Sequence, residues 1–182
     1  MNPPVVYGIV MAVASAFLTL VLYFLGLHSD AAKMTQAQWV GGLGAFVINV
    51  VCVVLGIRAQ RAETPAGKNF GYGRALGVGV LISVVAGLIG IGTSWFYFGT
   101  INPGFRDLLV QAQLDKMAAA GLSSDQLDRA EKGIRFFMQP VIMGVVTFIN
   151  AVVWGTLISL VAAGFLKRRP GGAPLAEPPP VG

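Results

Sequence analysis

Apolar and polar residues do not alternate along this chain; they come in long blocks. Residues 5–27, 39–57, 75–99 and 141–166 are four runs with no Asp, Glu, Lys or Arg in their interiors. At about 1.5 Å per residue the first run is roughly 34 Å long, enough to cross a hydrocarbon core of about 30 Å. The pattern predicts an all-α membrane protein, a four-transmembrane-helix bundle forming a single domain over residues 1–169. The first run is longer than the apolar core of a signal peptide, about 7–15 residues, and no basic residue precedes it. It is therefore expected to remain as a span. Residues 170–182 are rich in Pro and Gly, have too little to bury, and are expected to be disordered.

The polar segments between the runs are unequal. Residues 28–38 form a short connector holding His28, Asp30 and Lys33, and Trp39 then opens the second run at the interface. Residues 58–74 carry Arg58, Arg61, Lys68 and Arg74 against one acid, Glu63. The third run ends in Trp95, Phe96, Tyr97 and Phe98, aromatics of the kind that collect where a helix leaves hydrocarbon for the headgroup layer. Asn102 is expected to cap the following helix with its side-chain oxygen, and Pro103 to occupy the first helical position, where an N–H is dispensable.

Residues 102–139 then read as a helical hairpin. Its first helix should stop at Gly121, and Ser123 with Gln126 forms a capping box for the second. Leu127, Ala130, Ile134, Phe137 and Val141 follow at steps of three and four, an apolar stripe on one side. Asp125–Arg129, Asp128–Lys132 and Glu131–Arg135 are acid-before-base pairs four apart on the other, so the helix is expected to be amphipathic. Pro140 begins the last run, where the first turn tolerates it.

Within the runs, small residues recur every fourth position: Gly41, Ala45 and Asn49; Gly79, Ser83 and Gly87; Ala86, Gly90 and Ser94; Ala151, Gly155, Ser159 and Ala163. Such rows let helices approach closely in lipid. The third run carries two rows and should be central in the bundle. Asn49 and Asn150 are the intramembrane polar candidates, because a carboxamide in hydrocarbon must find a partner.

Composition agrees with the blocks. The chain is 55% hydrophobic and only 12% charged, with a net charge of +5 and a mean hydropathy of +0.71. The bases flank the apolar runs instead of forming one basic face, which points to the lipid bilayer as partner and not to nucleic acid. Bases cluster in residues 58–74 and again at Lys167, Arg168 and Arg169. With an even number of spans both clusters, and both termini, fall on the cytoplasmic side, and the hairpin is extracytoplasmic. The expected location is the bacterial cytoplasmic (inner) membrane. Cys52 lies alone inside a span and reads as a small hydrophobe. His28 is the only histidine, so no metal set can be assembled around it, and it reads as a solvated loop residue. Gly77-Val78-Gly79 lies in an apolar helix without the strand or Lys-Ser/Thr of a phosphate loop.

Several short marks fall in a definite order: Tyr7-Gly8 in the first run, Phe70-Gly71-Tyr72-Gly73-Arg74-Ala75 leading into the third, and Phe96-Tyr97-Phe98 followed by Ile101-Asn102-Pro103. A polar helical segment with Gly121-Leu122-Ser123, and Pro140 before the last run, complete them. In this order the chain resembles the bacterial membrane family called domain of unknown function 4199, over nearly its whole length apart from the tail. The resemblance implies the same membrane fold and no particular activity.

No nucleophile, acid–base pair or metal set stands out in the spans, so no catalytic, cofactor-binding or metal residue is expected. The residues expected to matter are Arg74, Asn102, Pro103 and Pro140, which set geometry at the boundaries. The favoured function is a non-catalytic structural or accessory component of a membrane assembly, with a homo-oligomer or a membrane protein as partner. The alternative is a small transporter or oligomeric channel with a neutral polar lining, since the spans keep no ionisable group for ion or proton transport. An enzyme acting on a lipid-linked substrate is the third reading.

Overall fold

The computed structural model describes residues 2–65 and 67–167; the tail at 170–182, with Arg168 and Arg169, lies outside them. Among the described residues there are six α-helices and no strand. They are α1 (Pro3–Phe24), α2 (Met34–Glu63), α3 (Tyr72–Phe96), α4 (Phe105–Ala119), α5 (Ser124–Phe137) and α6 (Pro140–Leu166). A short 3-10 turn, Ala31–Lys33, precedes α2, and a π-helical turn, Tyr97–Ile101, prolongs α3. Helices α1, α2, α3 and α6 are long and apolar enough to cross a membrane. The structure is that of a multi-pass membrane protein. α2 runs further than the apolar pattern alone indicates, because its polar ends, Met34 to Gln38 and Arg58 to Glu63, continue the helix beyond the apolar run.

The four spans form a ring in which α3 touches each of the others. Of its most apolar window 39% is buried, against 22%, 22% and 11% for α1, α2 and α6, so α3 is the central span. Its close neighbour is α6, and the contact is built from two reciprocal pairs. A Cβ on Gly79 of α3 would lie 2.7 Å from Cβ of Ser159 on α6, and a Cβ on Gly155 of α6 would collide with Ser83 of α3. Each hydroxyl is satisfied within its own helix, Ser83 donating to the carbonyl of Gly79 and Ser159 to that of Gly155. Two Gly-x-x-x-Ser segments thus cross antiparallel, each serine seated on the other's glycine. Helices can pack this tightly in lipid because the small residues let backbones approach and no polar atom is left unpaired.

The bundle is tightest at the end that holds the α2–α3 connection. Val53, Ile57, Phe70, Ala75, Ile82 and Ala163 are fully buried there. Phe70 turns inward ahead of α3, and the Arg74 guanidinium lies 5.9 Å from its ring centroid. That contact offsets the poor placement of a cation near a helix N-terminus. Tyr72 donates its hydroxyl to the carbonyl of Leu160 at 3.1 Å. Tyr7 and Gly8 lie at the crossing of α1 with α2 and α3. A Cβ on Gly8 would meet Val85 Cβ at 2.6 Å, and a Cβ on Gly56 would meet Tyr7 Cβ at 3.2 Å.

At the opposite end α4 and α5 form a helical hairpin outside the ring. The turn between them uses Gly121 at φ +87°, a left-handed conformation that glycine takes without penalty. The backbone N–H of Ser123 donates to Gln126 Oε1 at 2.9 Å. Leu127, Ala130 and Ile134 are half-buried on the α4 side, whereas Phe136, Phe137 and Val141 are exposed. Of the three four-apart ion pairs only Glu131–Arg135 forms, at 2.7 Å, and Arg135 also reaches Asp107 of α4 at 2.9 Å.

Candidate functional site: a half-open cavity with a polar latch

The site begins with a mismatch along the bundle axis. Where the α2–α3 end is filled by Phe70 and Ile57, the other half of the ring is lined by small residues and stays open. Gly41, Gly42 and Ala45 of α2 and Ala86 and Gly90 of α3 line a cavity of about 850 Å³. The same small-residue rows that permit close packing elsewhere leave space here. The cavity is half-open. Exposed residues at its rim, Gly42, Ala45 and Phe46 on α2 with Asn150 and Trp154 on α6, put the mouth between these two spans. Phe46 and Trp154 meet edge-to-face at 6.5 Å.

No Asp, Glu, Lys or Arg among the described residues lines the cavity. Its polar groups are neutral, and they include both intramembrane candidates. Asn150 donates from Nδ2 to the carbonyl of Val146, one turn back on its own helix, at 3.0 Å. Asn49 is different: its Oδ1 is buried and has no hydrogen-bond partner among the described residues. An unmet buried acceptor is costly in an apolar setting, and this one is packed away from the open space of the cavity.

At the far end of the cavity lies a latch of three residues from two segments, the loop after α1 and the π turn that ends α3. Tyr97 Oη lies 2.7 Å from Nδ1 of His28. Asn102 donates from Nδ2 to Tyr97 Oη at 3.3 Å and to the carbonyl of His28 at 3.1 Å. Tyr97 Oη and His28 Nδ1 share this hydrogen bond, and the imidazole tautomer sets which of the two donates. The π turn makes the arrangement possible. The N–H of Asn102 bonds the carbonyl of Tyr97 at 2.8 Å, five residues back, so Tyr97 and Asn102 stand one above the other. Tyr23, Met34 and Phe105 pack around the latch, with the Phe105 ring 4.4 Å from that of His28. Burial pushes the His28 pKa below its usual value, keeping the ring neutral.

Four sequence expectations change here. Asn102 does not cap α4 with its side chain, which is engaged with His28 and Tyr97. α4 starts at Phe105 with Gly104 at the cap position and no side-chain cap, and Asn102 contributes only its carbonyl, to the N–H of Phe105 at 3.1 Å. Pro103 accordingly sits in the turn before the helix, at the position of a β-turn that favours proline. His28 is not a solvated loop residue: it is 7% exposed. Tyr97, grouped with the interfacial aromatics, is buried beside it. Pro140 opens α6 as expected, and its carbonyl accepts from Trp95 Nε1 at 3.1 Å, tying the ends of α3 and α6. Arg74 is remote from the cavity. Among the described residues no group of three His, Cys, Asp or Glu could hold a metal.

A four-span helical membrane bundle, tightly packed at one end and hollow at the other, is the class of protein that this geometry defines. The chain matches the family described as Protein of unknown function (DUF4199) over residues 6–168, and it belongs to that family. No curated protein and no solved structure matches it.

Proposed function

We propose that the protein is a non-catalytic, multi-pass component of the bacterial cytoplasmic membrane that holds a small uncharged molecule between its spans. The observation that carries this reading is the cavity of about 850 Å³. It falls in the range of about 300–1,000 Å³ typical of small-molecule sites, and it is apolar with a few convergent polar groups, as such sites are. Its mouth lies at the level of the spans, so the molecule would arrive from the bilayer. Neutral walls favour a carrier or receptor for a lipid-soluble compound over an ion pathway. The packing of Ile57, Phe70 and Val53 beneath the cavity argues against a pore running through a single chain.

In this reading the basic α2–α3 connection and Lys167 face the cytoplasm, with both termini. The α4–α5 hairpin is extracytoplasmic. A second reading, an accessory subunit that docks a membrane protein or a second copy of itself, draws on the exposed Phe136, Phe137 and Val141 at the hairpin's base. The two readings are compatible, since a docked partner would lie beside the cavity.

The test is native mass spectrometry of the protein from lipid nanodiscs. A retained small molecule at one per chain is the expected result. Gly42→Phe and Gly90→Leu, whose added Cβ atoms meet open space and an ordinary 3.8 Å contact respectively, should fill the cavity and abolish retention without disturbing the fold. Retention that survives both fillings would overturn the cavity reading. A stoichiometric partner protein in place of any small molecule would favour the accessory role.

A further inference from the structure

The last span fixes the height of an apolar patch at the base of the hairpin. Helix α6 has 27 residues, about 40 Å of helix, which matches a bilayer with its headgroup layers included. With Lys167 at one surface, Pro140 lies at the other. Trp95 marks the same level, since its Nε1 donates to the Pro140 carbonyl at 3.1 Å and tryptophan favours the interface. Only Met138 and Gln139 separate the end of α5 from the start of α6. The last turn of α5 therefore cannot rise clear of the headgroup layer.

At that height Phe136 and Phe137 are 55% and 64% exposed, and Val141 is 63% exposed. Phe136 stands about 200° round the helix from Ile134, on the side of α5 away from α4. Val145, Ile149 and Val153 continue from Val141 at steps of four along α6, and all are exposed. This is the face that a spanning helix turns to acyl chains, and the aromatic patch is its end. A cation stands beside the patch. Arg106 of α4 and Met138 line one small pocket. Asp107 and Arg135, which also line it, pair with each other at 2.9 Å, whereas Arg106 has no ion-pair partner among the described residues. Exposed aromatics beside an unpaired base are what an interfacial helix presents to a bilayer.

We infer that the base of the hairpin is a membrane-surface anchor: Phe136, Phe137 and Val141 sit among the lipids of the leaflet on the hairpin's side, and Arg106 pairs with a phospholipid phosphate. The occupant is the bilayer in preference to a protein partner, because the patch continues a face that already meets lipid. The anchor stands independently of the cavity reading. It holds one end of α4 at the surface, the end whose Phe105 ring lies against His28.

The experiment uses the full chain carrying Cys52→Ala, at one chain per nanodisc of phosphatidylethanolamine and phosphatidylglycerol. A nitroxide is attached in turn at Phe136→Cys, Phe137→Cys and, as the water-facing reference, Asp125→Cys. Electron paramagnetic resonance compares relaxation by oxygen, which concentrates in lipid, with relaxation by a water-soluble nickel chelate. The oxygen-to-nickel ratio should be several-fold higher at the two phenylalanine sites than at the reference. Equal ratios would place the patch in water and overturn the anchor. Protection of both phenylalanine sites from both reagents would place the patch against protein and overturn it as well. Arg106 is read separately, by melting in detergent with added lipid. Phosphatidylglycerol should raise the melting temperature of the wild type more than that of Arg106→Gln, whereas diacylglycerol, which lacks the phosphate, should not distinguish the two. An equal rise with phosphatidylglycerol would overturn the phosphate pairing. None of these readouts depends on what the cavity holds.

Discussion

The hydroxyl of Tyr97 lies 2.7 Å from Nδ1 of His28, joining the end of the third span to the loop that leaves the first. The loop is also held across the fold by Asn102 Nδ2 on the His28 carbonyl and by the Phe105 ring against His28, and locally by Ser29 to Gly26 and Asp30 to Ala32. The bond is thus one of the two hydrogen bonds that fix where the loop sits over the cavity. Removing the hydroxyl in Tyr97→Phe leaves Nδ1 without its partner and deprives Asn102 of one acceptor, with the ring packing kept. The expected cost is about 1–2 kcal/mol, a fall of a few degrees in melting temperature for a chain of this size, read by thermal unfolding in detergent. An unchanged melting temperature would mean that the latch does not hold the loop in solution.

The same bond makes stability depend on pH in a definite direction. Burial lowers the His28 pKa from its usual value of 6.5, so between those two values the unfolded chain takes up a proton that the folded one refuses. Stability then rises with pH across that window. The contribution is fully present above about pH 7 and is lost as pH falls through 6 and below. Protonation also fixes Nδ1 as a donor, towards an oxygen that already accepts from Asn102. Melting curves between pH 5 and 8 should slope downward towards acid, and His28→Gln should flatten that slope. A wild-type protein with the same melting temperature at both ends would refute the burial of His28.

Asn102 separates two accounts of one residue. Were it a helix cap, its loss would fray the first turn of α4 and expose Arg106. Its Nδ2 instead holds the carbonyl of His28, and α4 keeps its backbone turn through the Asn102 carbonyl, which any residue supplies. In Asn102→Ala, trypsin cleavage should accelerate at Lys33, in the loop that is released, and stay unchanged at Arg106. Faster cutting at Arg106 alone would restore the cap.

How much of this was legible beforehand follows from the range of each signal. Spans show in a sequence because hydrophobicity is additive over twenty residues, and Gly121, Ser123 and Pro140 show because turn and cap chemistry is local. Small residues every fourth position marked close approach, but not which row meets which. Gly79 and Gly87 are filled by partners on α6, whereas Gly90 opens onto the cavity. The latch was illegible because its members are 69 residues apart and a π turn changes the register of α3 at its end. One cue was available. Trp95, Phe96, Tyr97 and Phe98 follow one another at about 100° per residue, so they sweep most of the helix circumference and cannot all face lipid. One had to turn inward, and it is Tyr97.

The reciprocal glycine–serine crossing of α3 and α6 gives the sharpest prediction about assembly. Gly155→Leu drives a side chain into Ser83, and Gly79→Leu drives one into Ser159. Neither serine can retreat, because each is completely buried and tied to a carbonyl of its own helix. Overpacking of this kind costs about 1–3 kcal/mol or more, and either variant should lower the melting temperature and the yield of monodisperse protein. Ser83→Ala and Ser159→Ala should be mild, since the hydroxyls bond only within their own helices. Gly77→Ala and Gly92→Ala lie on the same span with nothing within 4 Å of the added methyl. They should be neutral or slightly stabilising, because alanine is the better helix former. This contrast between glycines of one helix tests the geometry and not merely the composition. If Gly77→Ala proved as damaging as Gly155→Leu, the face of α3 that meets α6 would have to be reassigned.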